Sequence, residues 1–226
     1  MKTVVITGAN HGLGLATARQ FLQAGWRVAA LARTPPELPA SDNLRVELAD
    51  LTDMAAMVGV VDRLKGVPVD VLINNAGVFD ADNTDAPAAS KNFDRLTNVF
   101  QVNAIIPRIL ADALLSNLQA GEDKLVVTIS SGMGTFKGLN EYNAEHWAYS
   151  ASKAATNHAM ISFAKLHPDI KSTLVHPGWV QTSMGGSGAL IPVDEAALYL
   201  YKLIVEHARK LPNAKLVDYE GKGMDL

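Results

Sequence analysis

Val4-Val5-Ile6-Thr7-Gly8-Ala9-Asn10-His11-Gly12-Leu13-Gly14 stands near the head of the chain, and its reading decides the fold. Val4-Val5-Ile6 reads as a buried strand, and Leu13 to Ala24 as the helix that follows. Between them Gly8 allows a tight turn. Gly12 and Gly14 remove side chains where backbone must approach an anionic ligand or pack on the strand. The start of the helix then offers unpaired N–H groups and a partial positive charge. An ordinary strand–helix loop is the bland alternative. The setting, after a strand and opening a helix, favours dinucleotide binding instead.

Outward from this turn, short apolar runs alternate with helix-length segments. The runs are Val28 to Ala32, Leu44 to Leu48, Val69 to Ile73, Leu125 to Ile129, Ser172 to Val175 and Lys215-Leu216-Val217. Most are continuously apolar, as expected of strands covered on both faces. The segments between are Leu13 to Ala24, Asp53 to Leu64, Ser90 to Leu118, Tyr149 to Lys165 and Val193 to Arg209. Strand and helix in alternation predict an α/β chain: one Rossmann-type, doubly wound parallel sheet of about seven strands with helices on both faces. Gly25 is placed to stop the first helix, Pro35-Pro36 to break the chain after the second strand, and Thr52-Asp53 to cap the next helix. Pro192 or Asp194 marks the start of the last helix, and Asp80 to Ala89 reads as a loop. No repeat or linker divides the chain, so residues 1–226 are read as a single domain.

The chain of 226 residues is 48% apolar and 19% charged, enough for one sizeable core. It has no cysteine, which excludes disulfides, thiolate metal sites and a cysteine nucleophile. Lysine and arginine number 20 against 23 acidic residues, a net charge of −3 that argues against nucleic acid as a partner. No apolar run reaches the ~18 residues of a membrane span, and the first residues do not read as a secretory signal. A cytoplasmic protein is expected. The six histidines are scattered without metal-ligand spacing, so no metal is expected.

Tyr149 and Lys153 stand one helical turn apart, on one face. A tyrosine titrates near ~10, and a neighbouring ammonium favours its phenolate, so the pair makes a workable acid/base device. Tyr-x-x-x-Lys alone is common on solvated helix faces. Its company with the glycine turn, Asn74-Asn75-Ala76-Gly77 and Ser130-Ser131 at a strand end favours chemistry. The second strand ends Ala32-Arg33, with no acid where an NAD enzyme holds the ribose 2′-hydroxyl. Arg33 is suited to a 2′-phosphate, and NADP(H) is the expected cofactor.

Together these motifs resemble the short-chain dehydrogenase/reductase family. Thr7-Gly8-x-x-x-Gly12-x-Gly14, Asn74-Asn75-Ala76-Gly77, Val102-Asn103-Ala104, Tyr149-x-x-x-Lys153 and Pro177-Gly178-x-x-x-Thr182 occur in the family's order along essentially the whole chain. Pro177-Gly178-Trp179-Val180-Gln181-Thr182 is most similar to the branch of C-factor-like and sniffer-like carbonyl reductases.

The resemblance implies hydride transfer between a nicotinamide and a carbonyl or alcohol carbon of a small molecule. Tyr149 is the implied proton donor, and Lys153 holds the ribose and tunes Tyr149. Sequence admits either Ser130 or Ser131 for the substrate oxygen, and the resemblance selects Ser131. Asn103 is the implied holder of a proton-relay water; a polar residue capping a helix kink near Pro107 is the other reading. Implied cofactor contacts are Gly8, Asn10, His11, Gly12, Leu13 and Gly14 in the turn, and Asp50-Leu51 at the adenine. Further along they are Asn75, Ala76 and Gly77, then Tyr149 and Lys153, then Pro177, Gly178, Val180 and Thr182.

Eighteen residues separate Ser131 from Tyr149, a few more than the family's usual spacing, so Met133 to Trp147 is expected to form a substrate-facing loop. Met184 to Leu190 resembles the family's substrate lid. Trp147 and Trp179 flank the expected site, as pocket lining or as core. His176 is expected to be structural. A homodimer or homotetramer, paired through the long helices, is the expected assembly. The competing function is a dinucleotide-binding signalling or regulatory protein with little turnover.

Overall fold

The computed structural model describes residues 1–79, 89–137, 139–207 and 210–226. In chain order the elements are β1 (Thr3–Thr7), α1 (Gly12–Gln23), β2 (Arg27–Ala32), β3 (Leu44–Leu48), α2 (Met54–Arg63) and β4 (Val71–Asn74). Then come α3 (Ala89–Phe100), a π-helical turn (Gln101–Ile105), α4 (Ile106–Ala113), α5 (Leu115–Ala120) and β5 (Leu125–Ile129). A 3₁₀ turn (Gly132–Gly134), α6 (Glu141–Glu145), α7 (Trp147–Leu166), β6 (Lys171–His176), α8 (Val193–His207), β7 (Lys215–Asp218) and β8 (Gly223–Met224) complete it.

One sheet runs β3-β2-β1-β4-β5-β6-β7-β8. Seven strands pair in parallel, as expected, and an eighth pairs antiparallel with β7 through Leu216–Met224 and Val217–Gly223. Strand order reverses between β1 and β4, whose register places Ile6 beside Ile73. In open α/β sheets a crevice forms beyond the strand ends at such a switch.

Period-two alternation sends side chains of one strand to two cores. Val4 and Ile6 pack with Phe21 of α1 and Leu200, Leu203 and Ile204 of α8. Val5 between them packs on the other face with Leu110, Leu114 and Phe163. All of β1, β4 and β5 is buried, which explains their unbroken apolar runs. Full burial of each large side chain stabilises by roughly 1.5–3 kcal/mol.

The punctuation residues act locally. Gly25 has φ +78 just after α1, a left-handed conformation that only glycine adopts without strain. The Asp53 carboxylate accepts from the N–H groups of Ala55 and Ala56 and caps α2. Residues 33–43 form no helix, in keeping with Pro35-Pro36.

Two elements differ from expectation. β4 begins at Val71, because the Asp70 carboxylate ahead of it accepts from the N–H groups of Thr3 and Glu122 and ties off the strand start. The stretch Ser90 to Leu118 is not one regular helix: a π turn interrupts it before Pro107, and α4 ends at Ala113 before α5 begins. The loop read at Asp80 to Ala89 lies outside the described residues except for Ala89, which begins α3. Arg209, read as the end of the last helix, also lies outside them.

Candidate active site

The crevice is built by clamping two strand ends together. The Thr7 hydroxyl accepts from the N–H groups of Asn75 and Ala76, each at 3.0 Å. The Asn75 side-chain amide donates back to the carbonyl of Thr7 at 2.9 Å. This contact leaves no room for side chains: a Cβ on Gly14 would lie 2.3 Å from the Gly8 carbonyl oxygen, and one on Gly8 2.9 Å from the Ala76 Cα. Gly8 and Gly12 also take left-handed backbone angles, φ +66 and +55. His11 precedes α1 in an extended conformation and caps none of its amides. The first N–H groups of α1 are thus open to a ligand.

From this turn a cavity of about 830 Å³ runs along the carboxyl ends of the strands. Near the turn it is lined by Gly8, Asn10, His11, Gly12, Leu13 and Gly14. Ala32 and Arg33 of the β2 end follow, with Asp50 and Leu51 beside them. Ala32 is buried and Arg33 is exposed. The Asp50 carboxyl is held below its ordinary range by hydrogen bonds from Thr52, with the Arg33 guanidinium adding to the effect. The cavity then passes Asn75, Ala76 and Gly77 to Ser131, Tyr149 and Lys153, and to Pro177, Gly178, Val180 and Thr182. Every residue assigned to catalysis or cofactor from sequence lines this one cavity except Asn103.

At its inner end Tyr149 and Lys153 are buried on α7. The Tyr149 and Ser131 hydroxyls hydrogen-bond to each other. Ser131 also caps the 3₁₀ turn, accepting from Met133 N–H at 3.1 Å. The Ser130 hydroxyl is engaged elsewhere, donating to Asn157 Oδ1 at 2.5 Å, whereas the Ser131 hydroxyl meets Tyr149. Lys153 Nζ donates to the Ile129 carbonyl at 2.9 Å and lies 5.7 Å from the centre of the Tyr149 ring.

The electrostatics correct the simple Tyr–Lys argument. Burial pushes the Tyr149 phenol up to about 12, against a smaller lowering by the Ser131 hydrogen bond. Burial also pushes Lys153 down to about 8. In the free protein desolvation is the largest influence on the phenol, and it favours the neutral form of Tyr149.

Asn103 stands in the π turn, behind the cavity wall. Its Oδ1 accepts from Val78 N–H at 2.8 Å, and its Nδ2 donates to the Val78 carbonyl and the Ser152 hydroxyl, both at 2.9 Å. Ser152 in turn donates to the carbonyl of Tyr149 at 2.7 Å. Thr156 donates to the Asn103 carbonyl, also at 2.7 Å. The π turn is thereby fastened to α7, a placement in keeping with the frequent use of such turns at functional sites.

Sequence reading missed the rings around Tyr149. Phe79 meets Tyr149 edge-on at 4.8 Å, and His146 lies 4.9 Å from Phe79 and 4.5 Å from Tyr142. No spacing rule marks them, since three separate segments bring them together. Met133, Asn140, Tyr142 and Asn143 line the cavity, as expected of the 133–147 segment. Trp179 lines it too, whereas Trp147 lines a separate cavity of about 220 Å³ with Phe136 and Leu139. Trp147 is therefore not part of the main site. His176 lines the main cavity; burial lowers its pKa, and its Nδ1 is buried without a hydrogen-bond partner. The glycine-rich segment after Thr182 folds back on itself: Trp179 Nε1 donates to the Gly185 carbonyl at 2.8 Å and Gly185 N–H to the Thr182 hydroxyl.

A parallel sheet with a glycine turn at its switch point, a Tyr–Lys pair and a strand-end serine define a nucleotide-dependent dehydrogenase site. The model of the short chain dehydrogenase family matches residues 2–189, and the chain belongs to that family of oxidoreductases. It is 33% identical over 156 residues to C-signal of Myxococcus xanthus, covering 68% of this chain and 90% of the relative. Among solved structures it is similar to carbonyl reductase Sniffer of D. melanogaster, with TM-score 0.87, 26% identity and full coverage of both chains. It is likewise similar to a carbonyl reductase from Pseudomonas aeruginosa in complex with NADP, with TM-score 0.84, 32% identity and full coverage of both. Among the described residues, no helix is long and apolar enough to cross a membrane.

The buried lysine carries a pH signature. Between about 8 and its ordinary 10.5, the unfolded chain keeps a proton on Lys153 that the folded chain has lost. Stability from this group therefore grows as pH rises through that window. Urea unfolding at stepped pH should show wild type gaining on Lys153→Met between pH 8 and 10.5. A constant gap would contradict the burial argument.

Proposed function

We propose that the chain is an NADP(H)-dependent short-chain oxidoreductase that interconverts a small-molecule carbonyl and its alcohol. The observation that carries this reading is the convergence of Tyr149, Ser131 and Lys153 in the same cavity as the glycine turn and Arg33.

The cavity fits a dinucleotide. A side chain at Gly8 or Gly14 would collide with the backbone contacts that shape the turn, and the amides at the start of α1 have no side-chain cap. Gly12 to Gly14 would hold the pyrophosphate, and Asp50 and Leu51 would flank the adenine. Asn75 to Gly77, Lys153 and Pro177 to Thr182 would hold the nicotinamide half. At the β2 end Ala32 presents no carboxylate to repel a 2′-phosphate, and Arg33 supplies a planar cation for it. When bound, the nicotinamide supplies or accepts the hydride.

The chain's own residues handle the oxygen. Ser131 donates a hydrogen bond to the substrate carbonyl, and Tyr149 gives it the phenolic proton. A phenol pushed up to about 12 keeps its proton until the substrate oxygen takes it. Lys153 places a buried positive charge near the phenolate that this step leaves, held in position by the Ile129 carbonyl. Asn103 acts as a positioning residue, since its side chain binds Val78 and Ser152 rather than facing the cavity.

NADPH oxidation with a panel of aldehydes and ketones tests the assignment. Tyr149→Phe should lower turnover by roughly 10²–10⁴-fold while NADPH binding is retained. Tight NADPH binding with no turnover on any carbonyl would favour a dinucleotide-binding regulatory protein. Arg33→Ala should weaken NADPH about tenfold or more by calorimetry and leave NADH within about twofold. Tighter binding of NADH than NADPH by wild type would refute the Arg33 argument.

A further inference from the structure

The residues added between Ser131 and Tyr149 do more than lengthen a loop. They form α6 and carry Tyr142 and His146 up to Phe79, the ring that meets Tyr149. Successive centroids lie 4.5, 4.9 and 4.8 Å apart, with interplanar angles of 68°, 52° and 71°. These are edge-on and tilted contacts of the kind aromatic rings prefer. The result is a packed row of rings from the catalytic phenol toward solvent, in which Phe79 and Tyr142 line the cavity and form its aromatic wall. His146 supports that wall from behind, packed against both rings with its Nδ1 buried.

The outer end of the wall is left uncovered. Tyr142 is 55% exposed while lining the cavity. Trp179 lines the same cavity, is 53% exposed, and has its ring fixed by the bond from Nε1 to Gly185. Large rings held rigid and uncovered in a cavity bind a flat partner at little cost in side-chain entropy. The polarity is equally selective. Among the described residues lining the cavity, Arg33 and Asp50 belong to the β2 end, and Lys153 is the one lysine, arginine or carboxylate residue beside Tyr149. With Lys153 engaged at the Ile129 carbonyl, no guanidinium or second ammonium among the described lining residues stands beside Tyr149 to hold a carboxylate or phosphate on the substrate.

Resting on the reductase reading above, we infer that Phe79 and Tyr142, with His146 packed against both, are specificity-determining residues of the cavity that select uncharged, planar, conjugated carbonyl substrates over saturated ones. The aryl group lies against this wall with its carbonyl at Ser131 and Tyr149. Preference then comes from ring–ring contact at Tyr142 and Phe79, and the phenolic hydroxyl of Tyr142 is not required for it.

Benzaldehyde and cyclohexanecarbaldehyde test this, being alike in size and charge. Conjugation makes benzaldehyde the less electrophilic, so any preference for it reflects binding. The ratio of kcat/KM, benzaldehyde over cyclohexanecarbaldehyde, is measured with NADPH on wild type, Tyr142→Ala and Tyr142→Phe. Wild type should favour benzaldehyde. Tyr142→Ala should lower the ratio about threefold to tenfold, and Tyr142→Phe should keep it. A ratio unchanged in Tyr142→Ala, or lost equally in Tyr142→Phe, would overturn the wall as the selector while leaving the reductase reading standing. If wild type oxidises NADPH with neither aldehyde nor any other carbonyl, the reductase reading itself fails.

Discussion

Two ionisable groups sit buried on one face of α7, at the inner end of the cavity, and this burial governs the site. Tyr149 and Lys153 both lose hydration that their charged forms need, so the phenol rises to about 12 and the amine falls to about 8. The phenol meets the Ser131 hydroxyl and the amine meets the Ile129 carbonyl, both neutral partners. Such an arrangement opposes ionisation of the free protein and rewards any ligand that accepts a proton or hydrogen bond there.

The fold holds these groups in place through backbone-directed contacts. β5 ends at Ile129 and delivers Ser131 to the cavity, while Ser130 is tied to α7 through Asn157. The π turn meets α7 through Asn103, Ser152 and Thr156, all buried. Across the sheet, Thr7 and Asn75 lock the glycine turn to the end of β4. The two halves of the cavity are thus referenced to adjacent strands, and the distance between glycine turn and phenol is set by the sheet. Loops contribute the parts that vary with substrate, here α6 and the segment after Thr182.

Much of this was legible in the residues. Gly8, Gly12 and Gly14 are conspicuous because backbone angles or close approach exclude other side chains. The parallel strands were visible because full burial leaves an unbroken apolar run. What could not be read depends on tertiary contact. β8 has two residues and no pattern of its own. The π turn is set by contacts of Asn103 with Val78 and Ser152, far apart in sequence, which no local pattern announces. Phe79 follows the Asn-Asn-Ala-Gly motif with nothing to mark that it touches Tyr149. Trp147 sits two residues from Tyr149, yet helical geometry turns it to a different cavity. The direction of the Tyr149 shift was misread for a related reason: spacing reveals a neighbouring lysine, while the larger effect, burial, becomes visible only in the fold.

The central claim is that Tyr149 is held as a neutral buried acid. Its most direct measurement is the tyrosinate absorbance of wild type minus Tyr149→Phe, followed against pH while circular dichroism confirms that both remain folded. No difference is expected at 295 nm through pH 10, because burial pushes the phenol up to about 12. A one-tyrosine difference that develops between pH 7 and 9 would contradict it.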